Sequence, residues 1–194
     1  EPLDAPWKTI DLSRHIGSGS GLGIGVASPE DDLLAMTTDD GSEGLVYFPA
    51  QDKVLSTGPM RTVGSTNEPM IMPYIDAYSK HVIFADVTGN VALFDLVNGN
   101  GKPERFRVNF SPRFVRTGWL ESTWILAGDK GIMFQSFKDP SDRKVVRFVP
   151  EVMNMWVTGD SKTALYTLDE GTPAIYRFDI RLIDEQGQHL RRKA

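Results

Sequence analysis

The sequence contains no cysteine, which excludes disulfides, thiol catalysis and cysteine-based metal sites together. Histidine is scarce, at three residues: His15, His81 and His189. A hydrolase that needs a nucleophile, a base and an orienting group has little to draw on. No apolar run approaches the roughly 20 residues that a bilayer-spanning helix requires. Positive charge is not in excess either, since 21 Lys and Arg stand against 26 Asp and Glu, for a formal net charge of -5. That balance argues against nucleic acid as a partner, because phosphate contacts need clustered cations that release counterions. The one basic cluster, Arg191, Arg192 and Lys193, ends the chain and reads as part of a solvated tail.

What is present suits an ordinary globular chain. With 194 residues, 40% hydrophobic and 24% charged, one well-buried core is expected. Residues 1–183 are read as a single domain and 184–194 as a polar C-terminal tail. The opening stretch "EPLDAPW" suits the start of a mature exported protein, so a periplasmic or secreted location is the expectation. The absence of cysteine fits a periplasm and a reducing cytosol equally.

The strongest signal is internal repetition. Four hairpin-like phrases begin at Leu33 ("LLAMTTDDGSEGLVYF"), Val82 ("VIFADVTGNVALFD"), Trp124 ("WILAGDKGIMFQSF") and Ala164 ("ALYTLDEGTPAIYRF"). They recur every 40 to 49 residues, and each crosses a turn in which an Asp is closely followed by Gly. Before each hairpin lies a shorter segment, "GIGVASPED", "PYIDAYSKH", "FVRTGWLES" or "WVTGDSKT", whose aligned small residues are Ala27, Ala77, Gly118 and Gly159. Small residues at a shared depth suit crowded innermost strands. After the first three hairpins, "KVLSTG", "ERFRVNF" and "KVVRFV" supply an outer strand. The repeating unit therefore has four strands, inner to outer. The fourth copy lacks an outer strand, and "PWKTIDLS", residues 6–13, is expected to supply it and so close a ring without a free edge.

Four strands per 40 to 49 residues is the blade pattern of a β-propeller. Phrases such as "SPEDDLLAMTTDDGSEGLVYF" and "SKHVIFADVTGNVALFDLVNG" resemble blades of the WD40-like and YVTN-like propeller superfamily. The paired Gly-His and Trp-Asp signature of true WD40 blades is absent, so the resemblance implies fold and no family activity. The expectation is an all-β propeller of four four-stranded blades, closed by the N-terminal strand. The alternative is half of a larger propeller completed by a homodimer.

In such a ring, the turns between second and third strands share one face with the connections between blades. That face carries the acidic turns Asp39, Asp40, Asp86, Asp129 and Asp169, which read as ordinary turn chemistry. "GSGSGLGIG" fits neither a dinucleotide nor a P-loop register and reads as a flexible connection. Two Met-x-Met pairs, Met70 with Met72 and Met153 with Met155, stand at the starts of the second and fourth inner strands. Together with Tyr74 and Trp156 they are the candidate partner-binding residues, because Met and aromatic side chains suit adaptable contact surfaces. Thioethers also ligate Cu(I), so Met70, Met72, Met153 and Met155, with His15 on a loop expected at the same face, are the candidate metal ligands. Asp76 and Arg116, on adjacent inner strands, are expected to be structural and could form an ion pair. No catalytic residue and no cofactor is assigned. The expected role is a non-enzymatic protein-protein interaction module or scaffold subunit of an exported assembly. Small-ligand or Cu(I) binding at the channel mouth is the alternative.

Overall fold

The computed structural model describes residues 11–16, 21–28, 32–60, 72–76, 80–117, 123–129, 131–137, 143–147, 152–157, 163–168, 174–179 and 192–193. Among these the regular structure is all β and falls into four antiparallel sheets of four strands, each a simple meander. Sheet one is β1 (Leu22–Ala27), β2 (Leu34–Thr38), β3 (Gly44–Phe48) and β4 (Lys53–Ser56). Sheet two is β5 (Met72–Ile75), β6 (His81–Ala85), β7 (Asn90–Asp95) and β8 (Glu104–Arg107). Sheet three is β9 (Ser111–Thr117), β10 (Thr123–Asp129), β11 (Gly131–Ser136) and β12 (Arg143–Arg147). Sheet four is β13 (Val152–Val157), β14 (Thr163–Leu168), β15 (Tyr176–Asp179) and β16 (Arg192–Lys193). The four-strand unit read from the repeat is therefore present in each copy.

The core lies between the sheets, and strand alternation explains how. On β6 and β7, Val82, Phe84, Ala92 and Phe94 join a buried cluster with Leu33, Ala35 and Val46 of the sheet-one repeat. The intervening Ile83, Ala85, Val91 and Leu93 join a second cluster with Val115, Trp124, Leu126 and Met133 of sheet three. Successive side chains point to opposite faces, and here both faces are covered, so the strands read as unbroken apolar runs. Each fully buried Phe or Ile contributes about 1.5–3 kcal/mol by leaving water. The register is tight where space is short, since Gly44 at the start of β3 lies against the ring of Phe84 and Gly131 at the start of β11 against Phe110. A side chain at either glycine would meet an aromatic ring.

The inner strands succeed one another, with β1 against β5, β5 against β9 and β9 against β13. A closed ring of four would also bring β13 substantially against β1, and no such packing is seen among the described residues. β1 is instead exposed along its whole length.

Two expectations about the chain ends change. Arg192 and Lys193 pair with Arg177 and Tyr176, so the outer place of sheet four belongs to part of the expected polar tail. That pairing takes the edge of β15 which the N-terminal strand would need. Residues 6–10 of that segment lie outside the described residues, and residues 11–16 form a turn over sheet one, with both His15 N and Ile16 N donating to Leu12 O. Leu12 and Ile16 pack there on Leu34, Met36, Leu45, Tyr47 and Val54. Of the aligned small residues, Ala27 ends β1, while Ala77, Gly118 and Gly159 lie outside the described residues.

Candidate protein-interaction surface

Two of the acidic turns, at Asp40 and Asp86, are explained by hydrogen bonds within the turn, whereas Asp169 lies outside the described residues. The carboxylate of Asp86 is almost fully buried; its Oδ1 accepts from Thr88 N, Thr88 Oγ1 and Asn90 N at 2.8–2.9 Å, and its Oδ2 accepts from Asn90 Nδ2 at 2.8 Å. Asp40 Oδ1 likewise accepts from Thr38 Oγ1 at 2.6 Å and Ser42 N at 2.9 Å. Gly41 and Gly89 complete these turns at φ of 62° and 94°, the left-handed conformation that glycine adopts without strain. With four hydrogen bonds on its two oxygens, the buried Asp86 carboxylate is a poor cation ligand. Among the described residues no group of three His, Asp or Glu side chains is placed to hold a metal ion.

The glycine-rich segment is partly strand. Gly23 and Gly25 belong to β1, and a Cβ at Gly23 would crowd Thr37 Oγ1 and the carbonyl of Thr38. Close backbone approach, which only glycine permits, accounts for that residue better than flexibility does.

The candidate contact residues divide by burial. Trp156 on β13 is 48% exposed, whereas its neighbour Met155 is 1% exposed and serves packing. Met72 and Tyr74 on β5 are half-buried. Met70 lies outside the described residues, as does the side chain of Met153. Reading the sequence missed a run of exposed apolar residues on β1: Leu22, Ile24 and Val26 are 46%, 51% and 37% exposed. Their alternation with glycine was visible, but periodicity alone does not say whether an inner strand has a neighbour on both sides. Leu22, Ile24, Val26 and Trp156 thus lie on inner strands, whereas the other exposed large hydrophobics among the described residues, Val97 and Ile175, lie in connections outside them.

His15 is held by Asp52 and meets neither Met72 nor Met155 in any hydrogen bond or ring contact among the described residues. It sits beside sheet one, where its Nε2 lies 3.4 Å from Asp52 Oδ1 in the turn between β3 and β4. Arg14 forms an ion pair with the same carboxylate, and Tyr47 Oη donates to it at 3.4 Å. Burial pushes the Asp52 carboxyl up, but the hydrogen bonds and charges of Arg14 and His15 outweigh it and hold the group below the usual range. Burial and the Asp52 charge push the Tyr47 hydroxyl up. This cluster fastens the Leu12–Ile16 turn to sheet one.

Asp76 and Arg116 do not pair. Fully buried Asp76 accepts from Lys80 N at 2.7 Å through Oδ1, and its Oδ2 lies 2.7 Å from His81 Nδ1. The His81 ring stacks on Phe137 of sheet three, with centroids 3.9 Å apart, and Phe137 stacks on Trp124. Arg116 donates to the carbonyl of Val115 at 2.7 Å and lies over the Phe114 ring. The buried Asp76 carboxylate is therefore structural, and it orients a ring that locks two sheets together.

No protein-family model matches the sequence, and no curated protein matches it significantly. Solved structures do. The chain is similar to the structure of U3-55K at 8% identity and a TM-score of 0.59, covering 91% of this chain and 53% of that one. The RRP9 WD40 repeats match at 8% identity and 0.60, over 91% and 52%. The β-propeller domain of Cps50 (Swd1) from Myceliophteria thermophila matches at 15% identity and 0.61, over 92% and 56%. The chain thus resembles WD40-type β-propellers and spans about half the length of these structures.

Proposed function

We propose that the chain is a non-enzymatic protein-interaction module whose contact zone is the exposed apolar inner side of its arc of sheets. The carrying observation is the exposure of Leu22, Ile24, Val26 and Trp156 on inner strands, where a complete propeller has neighbours. Met72 and Tyr74 extend the same zone, and Met70 and Met153 belong to the proposal from their sequence positions. A rigid arc of sheets suits the presentation of such a surface, and Trp is prominent among residues that dominate binding energy. The fold likeness is compatible with this role and does not choose it, since propellers host many functions.

Replacing Met72 and Trp156 with Ser together should weaken capture of a purified partner at least tenfold while leaving thermal unfolding cooperative. Unchanged capture by the folded variant rejects the contact zone.

A second reading follows from β1. Two copies of this arc would bring eight sheets into one ring, within the usual four to eight blades. On that reading β1 of one copy packs on sheet four of the other, as the notional closure of a single chain would require of its own sheet four. Ile24→Asp would then halve the solution mass measured by light scattering. A monomer before substitution rejects it. For the Cu(I) alternative, anaerobic calorimetry with Cu(I) gives no methionine-dependent heat if the contact reading holds.

A further inference from the structure

Strand β8 is the outer edge of sheet two, hydrogen-bonded to β7 on one side and, among the described residues, to no strand on the other. An edge strand offers a row of backbone donors and acceptors to any extended segment that reaches it. Its side chains alternate strictly. Arg105 and Arg107 are exposed, whereas Glu104 and Phe106 are half-buried. Arg105 is the register partner of Ala92, which faces sheet one, and Phe106 is the partner of Val91, which faces sheet three.

Both arginines are held loosely. Arg105 Nη1 donates to Pro59 O at 3.2 Å, and Arg107 Nη2 to Thr88 O at 3.5 Å. Neither has a carboxylate partner among the described residues, although acidic residues outnumber basic ones in the whole chain. Arg143 of sheet three behaves differently. Its guanidinium lies 3.5 Å over the Phe106 ring and is fixed by Glu104 Oε1 and Gln135 Oε1, both at 2.9 Å.

A crevice opens on each side of β8. The smaller, about 310 Å³, lies beside Met60 and is lined by residues 90–92 of β7 and 105–107 of β8. The larger, about 730 Å³, lies towards sheet three, with Val108, Phe110 and Val145 in its wall beside Arg143. Arg105 lines the smaller crevice and Arg107 reaches both, while in the larger one Val108, Phe110 and Val145 add an apolar wall beside Arg143, whose charge Glu104 already engages.

We propose that β8 is a docking edge for an extended acidic peptide segment, which adds a fifth strand to sheet two. Antiparallel pairing would set two carboxylates of the segment across from Arg105 and Arg107. The residue between them turns to the opposite face, towards the crevice walled by Val108, Phe110 and Val145, so it is apolar. The recognised pattern is acidic, apolar, acidic. Main-chain bonds supply affinity, and the arginines with the crevice supply selectivity. The proposal concerns the outer rim and stands apart from the inner-side contact zone.

The test uses the whole chain and a fluorescein-labelled nonapeptide of alternating Asp and Val, followed by anisotropy at low salt. Companion probes are the same peptide with Lys for Asp, and an Asp-Val version N-methylated at alternate residues, which keeps the charge but loses half of its backbone donors. Binding of the first peptide, with at least tenfold weaker binding of both companions, is expected. Arg105→Glu with Arg107→Glu should abolish it without moving the melting temperature, since both side chains are exposed. No binding up to 1 mM, equal binding of the N-methylated peptide, or equal binding by the double variant each overturns the proposal. Complete competition by inorganic phosphate at 10 mM would also overturn it, because a free anion would then suffice.

Discussion

Sheets one and two are built on the same four-strand plan and differ in what covers them. Sheet two is enclosed, with Val82 and Phe84 facing one neighbour and Ile83 and Ala85 the other. Sheet one has a neighbouring sheet on one face; on its other face Leu34, Met36, Leu45 and Tyr47 meet only the Leu12–Ile16 turn among the described residues, and β1 is left exposed. Regular strands therefore need only alternation and turns, whereas the depth of burial depends on the neighbours. An end unit in a stacked array needs a cap, and the turn is a small one.

The comparison can be broken by substitution. The largest effect is expected for Phe84→Ala, which opens a cavity in the seam of sheets one and two and should cost about 3–5 kcal/mol in urea unfolding. Met36→Ala, under the thin cap, should cost less than Phe84→Ala; an equal cost would mean that the cap seals as well as a sheet does. Asp86→Ala removes four hydrogen bonds from a buried turn and should cost about 1–3 kcal/mol, read from the same curves. Gly44→Val should also lower the melting temperature, because the new side chain meets the Phe84 ring.

The smallest effect is expected for the cap itself. The Asp52 carboxyl is held below its ordinary value of about 3.9, so its contribution is whole above that pH and is lost as pH falls through the lower folded value. The Ile16 methyl resonance should move towards its free-chain position over that acidic window. Asp52→Asn should remove the pH dependence. A methyl shift that is flat with pH in the parent protein would show that packing alone holds the turn.

Much of the fold was legible because turn chemistry and strand alternation are local. The Asp86 turn, the run from Val82 to Ala85 and the outer strand at Glu104–Arg107 each follow from neighbours in sequence. The site was less legible, since exposure is a property of assembly. Met155 and Trp156 are adjacent and both apolar, yet one is buried and the other open. Nothing local distinguishes them except the alternation, whose phase is set by the sheet next door. The end of the N-terminal segment shows the same limit. Leu12, with Ile16 just beyond the expected strand, suits an edge strand and a capping turn alike, and here both cap sheet one while Arg192 and Lys193 pair with β15.

The two-sided burial of β6 carries a penalty for errors in chain length. Inserting or deleting a single residue between His81 and Ala85 would exchange the side chains assigned to each neighbour, so that Phe84 would be presented where Ile83 or Ala85 now fits. One such slip would disturb both adjoining seams at once, so a change of chain length is better tolerated in the outer connections.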